Sequence, residues 1–392
     1  MSQPAASKGP LSGLLVADFS RVLAGPYATM LLGDLGADVI KVESPAGDDT
    51  RRWAPPVTDN GTATYYLSVN RNKRSVALDL NDPADLAAAR ELARRADVLV
   101  ENFKPGGLDR FGLDYASVSA ANPAIIYASI SGFGTSGGRD LPGYDLMVQA
   151  ISGLMSLTGD PEGPPYRAGV AVFDVMSGLH TAFGILAALH HRTRTGQGQH
   201  VLASLMASAM SGMVNQTGAY VAGGVVPFRM GNSHPSLFPY EPLPTGDGEL
   251  IVTAGNDAQF GRLCEVLGAP ELAADPRFAH NEGRTAHRDQ LRPLLVERLA
   301  KRPADEWFAA LVAVGVPCGP INTVDAGIAF ATRIGIDPVV TAGDGDAAIA
   351  TIRHPLTFSG TPPRYDLPPP RLDEHGDQIR RWLADQESGG AR

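Results

Sequence analysis

The pattern that most constrains the fold is an alternation of short apolar segments and amphipathic segments near the N-terminus. Residues 14–20 (LLVADFS) have the character of a buried strand, and residues 37–43 (ADVIKVE) predict a second one. Between them, AGPYATMLLGDLG carries Tyr27, Met30 and Leu31 at helical spacing. A strand, a helix and a strand at this pitch form a βαβ unit, which requires parallel strands.

The same alternation continues to about residue 205. An alanine-rich helix begins at an Asp-Pro pair, and further strands are predicted at residues 97–103 and 124–130. Residues 174–192 predict a long helix, which ends at TGQGQ before another strand. The sequence therefore predicts an α/β fold with a Rossmann-like parallel-sheet large domain over residues 10–205.

The pattern changes after that domain. Residues 206–230 are rich in small residues and predict a linker helix. Residues 231–325 contain one strand (GELIVTA) and three amphipathic helices, which predict a smaller α+β domain. Residues 326–392 form a C-terminal segment with a proline-rich loop and a final helix.

Composition excludes several classes of protein. The chain has 392 residues, 44% of them hydrophobic, and a net charge of -9, which disfavours binding to nucleic acid by bulk electrostatics. Cys264 and Cys318 are expected to be reduced thiols, and no His or Cys spacing predicts a metal site. The N-terminus lacks the apolar core of a signal peptide, and no uncharged apolar run reaches bilayer length. We expect a soluble, cytoplasmic protein.

One carboxylate, Asp174, interrupts the otherwise apolar stretch VAVFDVMSGLH at residues 170–180. As a helix N-cap it would accept backbone N–H bonds and be stabilised by the helix dipole. The same setting would keep the carboxylate ionised and positioned, as a covalent nucleophile requires. The two interpretations are compatible.

Two basic clusters stand elsewhere in the predicted large domain. NRNKRS contains Arg71, Lys73 and Arg74, and ENFKPGGLDRFG contains Lys104 and Arg110. Each cluster predicts either a solvated basic face or a pocket for a phosphorylated small molecule at the carboxyl end of the sheet. SGFGTSGG contains GxGxxG, but no apolar helix follows it directly, so a glycine loop beside a site is favoured over a dinucleotide fingerprint.

Taken in order, several stretches resemble family III CoA-transferases, also called the CaiB/BaiF family. The resemblance covers nearly the whole chain. It is carried by DFSRVLAGPYATMLLGDLGADVIKVE, NRNKRSVALDL, ADVLVENFKPGGLDRFGLDY, GYDLMVQAISGLMSLTG, the Asp174 helix, HHRTRTGQGQHV, DPRF and GVPCGPI. GDDTRRWAPP followed by TYYLSVNRNKRS makes the chain most similar to transferases that move CoA between dicarboxylic acids, such as succinyl-CoA-dependent ones.

The resemblance implies that Asp174 is a nucleophile that passes through an aspartyl anhydride and an aspartyl-CoA thioester. CoA and acyl-CoA would be substrates, with no permanently bound cofactor and no metal. The partners would be an acyl-CoA donor and a carboxylic acid acceptor. The binding residues implied by matching motif positions are Val22, Leu23, Lys73, Leu78, Asn102, Phe103, Arg110, Tyr144 and Asp145.

The resemblance also implies an interlocked homodimer, in which the C-terminal segment returns to the large domain. Departures from the family pattern matter for the substrate. Ser44 stands where formyl-CoA transferases carry an arginine, and their tetraglycine loop is absent, which disfavours formyl-CoA and oxalate. Arg21, Arg51, Arg52 and Arg167 are unranked candidates for holding a distal carboxylate.

Two alternatives stay open at this point. One is an α-methylacyl-CoA racemase of the same family, although GYD replaces the GHD motif of those enzymes and tyrosine is a poor base near neutral pH. The other is a non-catalytic acyl-CoA-binding subunit in which Asp174 is only a cap.

Overall fold

The computed structural model describes residues 9–385, and a parallel sheet of six strands is built within that range. The strands are β1 (Leu15–Asp18), β2 (Asp38–Glu43), β3 (Lys73–Ala77), β4 (Val98–Glu101), β5 (Ile126–Ser131) and β6 (Gln199–Ser204). Their spatial order is β3-β2-β1-β4-β5-β6, and all neighbouring pairs are parallel. The predicted Rossmann-like parallel sheet is confirmed, with β3 as a strand that the sequence did not predict.

The remaining elements follow in chain order. The helices are α1 (Ala24–Asp34), α2 (Thr64–Ser68), α3 (Pro83–Arg95), α4 (Tyr115–Ala121), α5 (Asp145–Ile151), α6 (Leu154–Leu157), α7 (Val172–Thr195), α8 (Leu205–Gly212), α9 (Val214–Gly223), α10 (Asp257–Val266), α11 (Pro270–Ala274), α12 (Asn281–Ala286), α13 (Arg288–Leu299), α14 (Ala304–Ala313), α15 (Val324–Arg333) and α16 (Gly376–Ala384). The remaining strands are β7 (Tyr240–Pro244), β8 (Glu249–Thr253), β9 (Cys318–Pro320), β10 (Val339–Ala342) and β11 (Ile349–Ile352).

The chain divides into two units whose boundaries differ from the predicted domains. The first unit comprises the chain up to Ser152, Ala168–Val225 and the chain from Asp337 onward. The second comprises Gly153–Arg167 and Val226–Ile336. The predicted linker at 206–230 thus falls mostly in the first unit, where α8 packs on α7 and α5.

The first unit has two layers of helices on its sheet. On one face, α3, α4 and α16 bury an apolar cluster that includes Leu99 and Ile379. On the other face, α1 packs along α7, which also contacts β5 and β6. A Cβ atom at Gly178 of α7 would lie 2.6 Å from the Ala24 carbonyl oxygen, so this close packing requires glycine.

The second unit has its own apolar core. The antiparallel strands β7, β8 and β9 lie in that order, with helices α10, α13 and α14 packed around them. Leu250, Phe260, Leu295 and Trp307 are buried together in this core. The predicted strand GELIVTA and the three predicted amphipathic helices correspond to β8, α10, α13 and α14, whereas β7, β9, α11 and α12 were not predicted.

Helix α7 is long and apolar enough, by length and composition alone, to cross a membrane, and 44% of its apolar stretch is buried in the structure. Core helices of soluble proteins pass the same test, and α7 packs on a sheet and on α1. Its outer face nevertheless leaves Leu179, Phe183 and Leu186 exposed, Phe183 by 73%. This apolar face has no covering element within the part of the chain that the structure describes.

Candidate active site

Two loops meet at the carboxyl edge of the parallel sheet, where the strand order reverses between β1 and β4. The Arg21 backbone N–H donates to Asn102 Oδ1 (2.9 Å), and Asn102 Nδ2 donates to the Arg21 carbonyl oxygen (2.7 Å). Ligands of open α/β sheets bind in the crevice at such a reversal. The structure therefore brings the predicted binding residues Asn102, Val22 and Phe103 to a position suited to a ligand.

The backbone at Val22 is strained. Val22 has φ +69°, a left-handed conformation that is unusual for a β-branched residue. Its N–H points at the Asp48 carboxylate, with distances of 3.2 Å and 3.4 Å to the two oxygens. The next residue, Leu23, is buried at the N-cap position of α1. Strain of this kind concentrates at functional sites, and it was not foreseeable from residue types.

Lys73 is fully buried, and its predicted contact with a ligand is wrong. Its Nζ lies 3.0 Å from Asp18 Oδ2, and it donates to the Pro26 carbonyl oxygen and to Asn70 Oδ1, both at 2.9 Å. An ammonium group has three donors, so no donor remains for a phosphate. The physical reason is that Lys73 points to the same side of the sheet as Asp18, whose buried carboxylate requires a cation.

The other cations of NRNKRS also form internal ion pairs. Arg71 is buried and makes a bidentate pair with Asp34, at 2.9 Å and 2.6 Å. Arg74 makes a bidentate pair with Asp38 at the strand surface. Neither the solvated basic face nor the phosphate pocket predicted for this cluster is present.

The arginines proposed for a distal carboxylate differ in their availability. Arg51 makes a bidentate pair with the buried Glu43, at 2.8 Å and 2.7 Å, and its guanidinium is thus occupied. Arg21 and Arg52 share Asp49, and each side chain is 60% exposed. Arg167 is exposed and lies in the second unit.

Asp174 lies in the first turn of α7, but it does not cap the helix. Ala171 occupies the N-cap position without a side-chain hydrogen bond. Asp145 of α5 supplies the cap instead, because its Oδ1 accepts the N–H groups of Phe173 (2.8 Å) and Asp174 (3.2 Å). The capping interpretation of Asp174 is therefore wrong, and the carboxylate of Asp145, which was predicted to bind a ligand, accepts hydrogen bonds from the start of the helix.

The Asp174 carboxylate is half-buried, and no salt bridge of residues 9–385 includes it. Burial, and then the negative charge of Asp145, raise the pKa of Asp174 to about 7. The expectation that the helix terminus keeps this carboxylate firmly ionised is wrong, since Asp145 already neutralises the positive end of the helix. The result is a carboxyl group that ionises near neutral pH.

Tyr65 of α2 lies near enough to Asp174 for the two charges to interact, and nothing in the sequence predicted this. Burial, and next the charge of Asp174, raise the pKa of Tyr65 to about 12, so the phenol stays neutral. Its ring meets the Trp53 ring edge to face, at 5.1 Å between centroids. The stretch TYYLSVN carried part of the family resemblance, but nothing in it indicated proximity to Asp174.

The remaining predicted binding residues are spread over the first unit. Phe103 lines a pocket of about 240 Å³ on the α4 side of the sheet. Arg110 is exposed, with its guanidinium over the Phe111 ring. Leu78 is buried in the core, whereas Tyr144 is 63% exposed directly before α5. The structure does not gather these residues into one cavity, and no cluster of potential metal ligands is found among the described residues.

The site can be compared with known proteins at this point. Residues 11–376 match the family described as CoA-transferase family III. Succinate–glutarate CoA-transferase of Agrobacterium fabrum is 45% identical over 381 residues, which are 95% of each chain. Acetyl-CoA:oxalate CoA-transferase of Acetobacter aceti is 40% identical over 98% of each chain. A CaiB/BaiF family protein from Brucella suis has a crystal structure with a TM-score of 0.86 and 44% identity, covering 96% of this chain and 100% of that one.

Fold and comparisons together define an α/β enzyme, and its candidate site holds a carboxyl group, Asp174, in the first turn of a helix. The chain belongs to CoA-transferase family III, the CaiB/BaiF family, and its enzymatic class is that of a CoA-transferase.

Proposed function

We propose that this protein moves CoA from succinyl-CoA to a second dicarboxylic acid through covalent intermediates on Asp174. The observation that carries the proposal is the state of Asp174. Its carboxylate is half-buried and takes no part in capping its own helix, whereas Asp145 performs that task. A carboxyl group at the start of a helix that neither caps the helix nor forms an ion pair is suited to nucleophilic attack.

The proposed chemistry has two symmetrical halves. The Asp174 carboxylate attacks the thioester carbonyl of the donor, which gives a mixed anhydride and CoA thiolate. The thiolate then attacks the Asp174 carbonyl carbon, releases the donor acid and forms an aspartyl-CoA thioester. The acceptor carboxylate repeats these steps in reverse and leaves as the new thioester. Free energy of the thioester is retained because water is excluded from the intermediates.

The choice of substrates rests on the relatives. The Agrobacterium relative is named for succinate and glutarate, and the Acetobacter relative for acetyl-CoA and oxalate. Succinyl-CoA with a longer dicarboxylic acid is the pair we favour, since the formyl-CoA transferase features are absent from the sequence. The 40% identical oxalate enzyme makes acetyl-CoA and oxalate the comparison pair in any substrate screen.

The nucleophile is tested by incubating the enzyme with succinyl-CoA and digesting it for mass spectrometry. We expect a CoA adduct on the Asp174 peptide, and loss of adduct and of turnover in Asp174→Asn. Asp82→Asn is the matched control, since Asp82 is exposed and accepts two N–H groups at the start of α3. Full turnover in Asp174→Asn would refute the mechanism.

The same variant tests the non-catalytic alternative, because in that case the nearly isosteric amide should replace the Asp174 carboxyl group without loss of turnover. Racemisation has a different signature, namely exchange of the α-proton of an acyl-CoA for deuterium without any acceptor acid. We expect no such exchange.

We further propose a homodimer that covers the apolar face of α7. Leu179, Phe183 and Leu186 on that helix, and Tyr220 and Val221 on α9, are all exposed. Large exposed apolar side chains that lie together on a helix face mark interaction sites. Light scattering should give twice the chain mass, and Phe183→Glu should weaken the association, whereas a monomeric wild-type protein would refute it.

We also propose a cytoplasmic location, which is supported by the free thiols of Cys264 and Cys318. Cell fractionation tests it directly, and recovery of the protein outside the soluble fraction would contradict it.

A further inference from the structure

We propose that Asp145 is a positioning residue that drives acylation of Asp174, because its buried charge makes the ionised Asp174 side chain less stable than the neutral thioester. The inference rests on the proposed role of Asp174 as the nucleophile. It assigns to Asp145 a task in the reaction that the family resemblance, which suggested a binding residue, does not include.

The geometry fixes Asp145 as a charge that cannot move away. Asp145 is only 8% exposed, and its Oδ1 accepts the N–H groups of Phe173 and Asp174. Its Oδ2 accepts a hydrogen bond from Gln149 Nε2 at 2.5 Å. Gln149 is fully buried and is itself fixed, because its Oε1 accepts the Ala168 N–H at 2.8 Å. These donors hold the Asp145 carboxylate against the backbone N–H of Asp174.

Among residues 9–385, no cation contributes to the charge state of Asp174 at the start of α7. Helix α5 contributes Asp145 and α2 contributes the neutral phenol of Tyr65. Helix α1 brings Tyr27 against Gly178, and α8 places Ser208 Oγ 3.0 Å from His180 Nδ1, both further along α7. Burial and then Asp145 raise the pKa of Asp174 to about 7, in agreement with this arrangement.

Acylation removes the charge on which Asp145 acts. In the net half-reaction, the acyl-CoA thioester and the Asp174 carboxylate become the aspartyl-CoA thioester and the free donor carboxylate. One C–S bond breaks and another forms, one oxygen leaves Asp174 with the donor acid, and the negative charge leaves with that acid. Repulsion between two nearby carboxylates in a half-buried site is relieved in the product. The equilibrium of the half-reaction therefore shifts towards the aspartyl-CoA thioester.

The experiment measures the equilibrium of this half-reaction. Enzyme is equilibrated with a fixed ratio of succinyl-CoA to succinate at about pH 8, and intact-protein mass spectrometry gives the ratio of adduct to free enzyme. In Asp145→Asn we expect that ratio to fall roughly tenfold, since one unit of pKa corresponds to a factor of ten. Asp82→Asn, which removes a capping charge from α3, should leave the ratio unchanged.

A second measurement follows the adduct ratio against pH, first in the wild-type enzyme, where a missing bend would already contradict the proposal, and then in Asp145→Asn. Below about pH 7 Asp174 must lose its proton to react, so the adduct ratio should fall towards about tenfold per pH unit and level off above that point. In Asp145→Asn the bend should move to lower pH. A purely structural cap would not move it.

The outcomes separate the two proposals. An adduct whose ratio shows no bend between about pH 6 and 8, or is equal in wild type and Asp145→Asn, overturns the role of Asp145 and leaves the nucleophile in place. Absence of any adduct on wild-type Asp174 overturns the proposed function itself.

Discussion

Asp18 and Asp174 show how differently one fold can treat two aspartates. Asp18 is completely buried, yet its pKa is lowered, because Lys73 and Lys41 together with two hydroxyl groups outweigh the burial that would raise it. Asp174 is less buried and its pKa is raised, first by burial and then by Asp145. Cationic and hydrogen-bonding partners can therefore reverse the rise in pKa that burial alone produces.

The two carboxyl groups also differ in how many partners they have. Asp18 belongs to a buried network that continues through Lys41, whose Nζ lies 2.9 Å from Asp48 and 3.0 Å from the Ser20 carbonyl oxygen. Asp48 in turn holds the strained N–H of Val22. The network fixes the loop that precedes α1, and every charge in it is satisfied. Within residues 9–385 Asp174 forms no ion pair, and its carboxyl group ionises near neutral pH.

The largest expected loss of stability comes from breaking the buried ion pair between Lys73 and Asp18. Lys73→Met leaves Asp18 buried without its nearest cation, and removing one partner of a buried ion pair typically costs about 3–5 kcal/mol of unfolding free energy. Urea denaturation near neutral pH measures this loss.

Arg74→Met is the matched control on the same strand. Its partner Asp38 has a 52% exposed side chain, so we expect a loss below about 1 kcal/mol. Equal losses in the two variants would show that the buried network carries no special stability.

The second expected effect is a gain in the free energy of unfolding when Asp174 is replaced. Above pH 7 the folded protein must hold Asp174 as an ion, which the raised pKa shows to be unfavourable. Asp174→Asn should therefore be more stable than wild type at about pH 8, by about 1–2 kcal/mol after discounting for partial exposure. The gain should shrink between about pH 7 and 4, because the wild-type folded state then binds a proton more tightly than the unfolded chain.

Denaturation of both proteins across this pH range checks the sign. If Asp174 were a structural cap, the stability difference would be near zero at every pH, since asparagine is an equally good cap. A flat difference would thus remove the contrast between Asp18 and Asp174.

Much of the fold could be predicted from the sequence, because buried strands and amphipathic helices leave periodic patterns. Strand β3 was not predicted, because Lys73 and Arg74 made its sequence resemble a charged surface segment. Their partners, Asp18 and Asp38, are distant in sequence, and no local pattern indicates a buried ion pair between two strands.

The site was predicted in part for the same reason. Asp174 was found from its place in the sequence, but its cap is Asp145, 29 residues earlier. A cap normally lies next to its helix, so reasoning from local spacing assigned that task to Asp174 itself. The raised pKa of Asp174 was not predicted for the same reason, because Asp145, whose charge contributes to it, had been assigned to substrate binding.

The smallest effect on stability concerns charges that are paired at the surface, and it can rank the arginines. Arg21 contacts Asp49 at 3.1 Å with a 60% exposed side chain, so Arg21→Gln should change the unfolding free energy by less than about 0.5 kcal/mol. If Arg21 holds the distal carboxylate of the acceptor, KM for glutarate should rise roughly tenfold or more, since a charge-assisted hydrogen bond contributes about 1.5–3 kcal/mol. KM for an acceptor with a single carboxylate should not change.

Arg52→Gln is the control, because Arg52 also pairs with Asp49 and its side chain is equally exposed. Equal KM values for glutarate in both variants and in the wild type would exclude Arg21 and Arg52 from acceptor recognition.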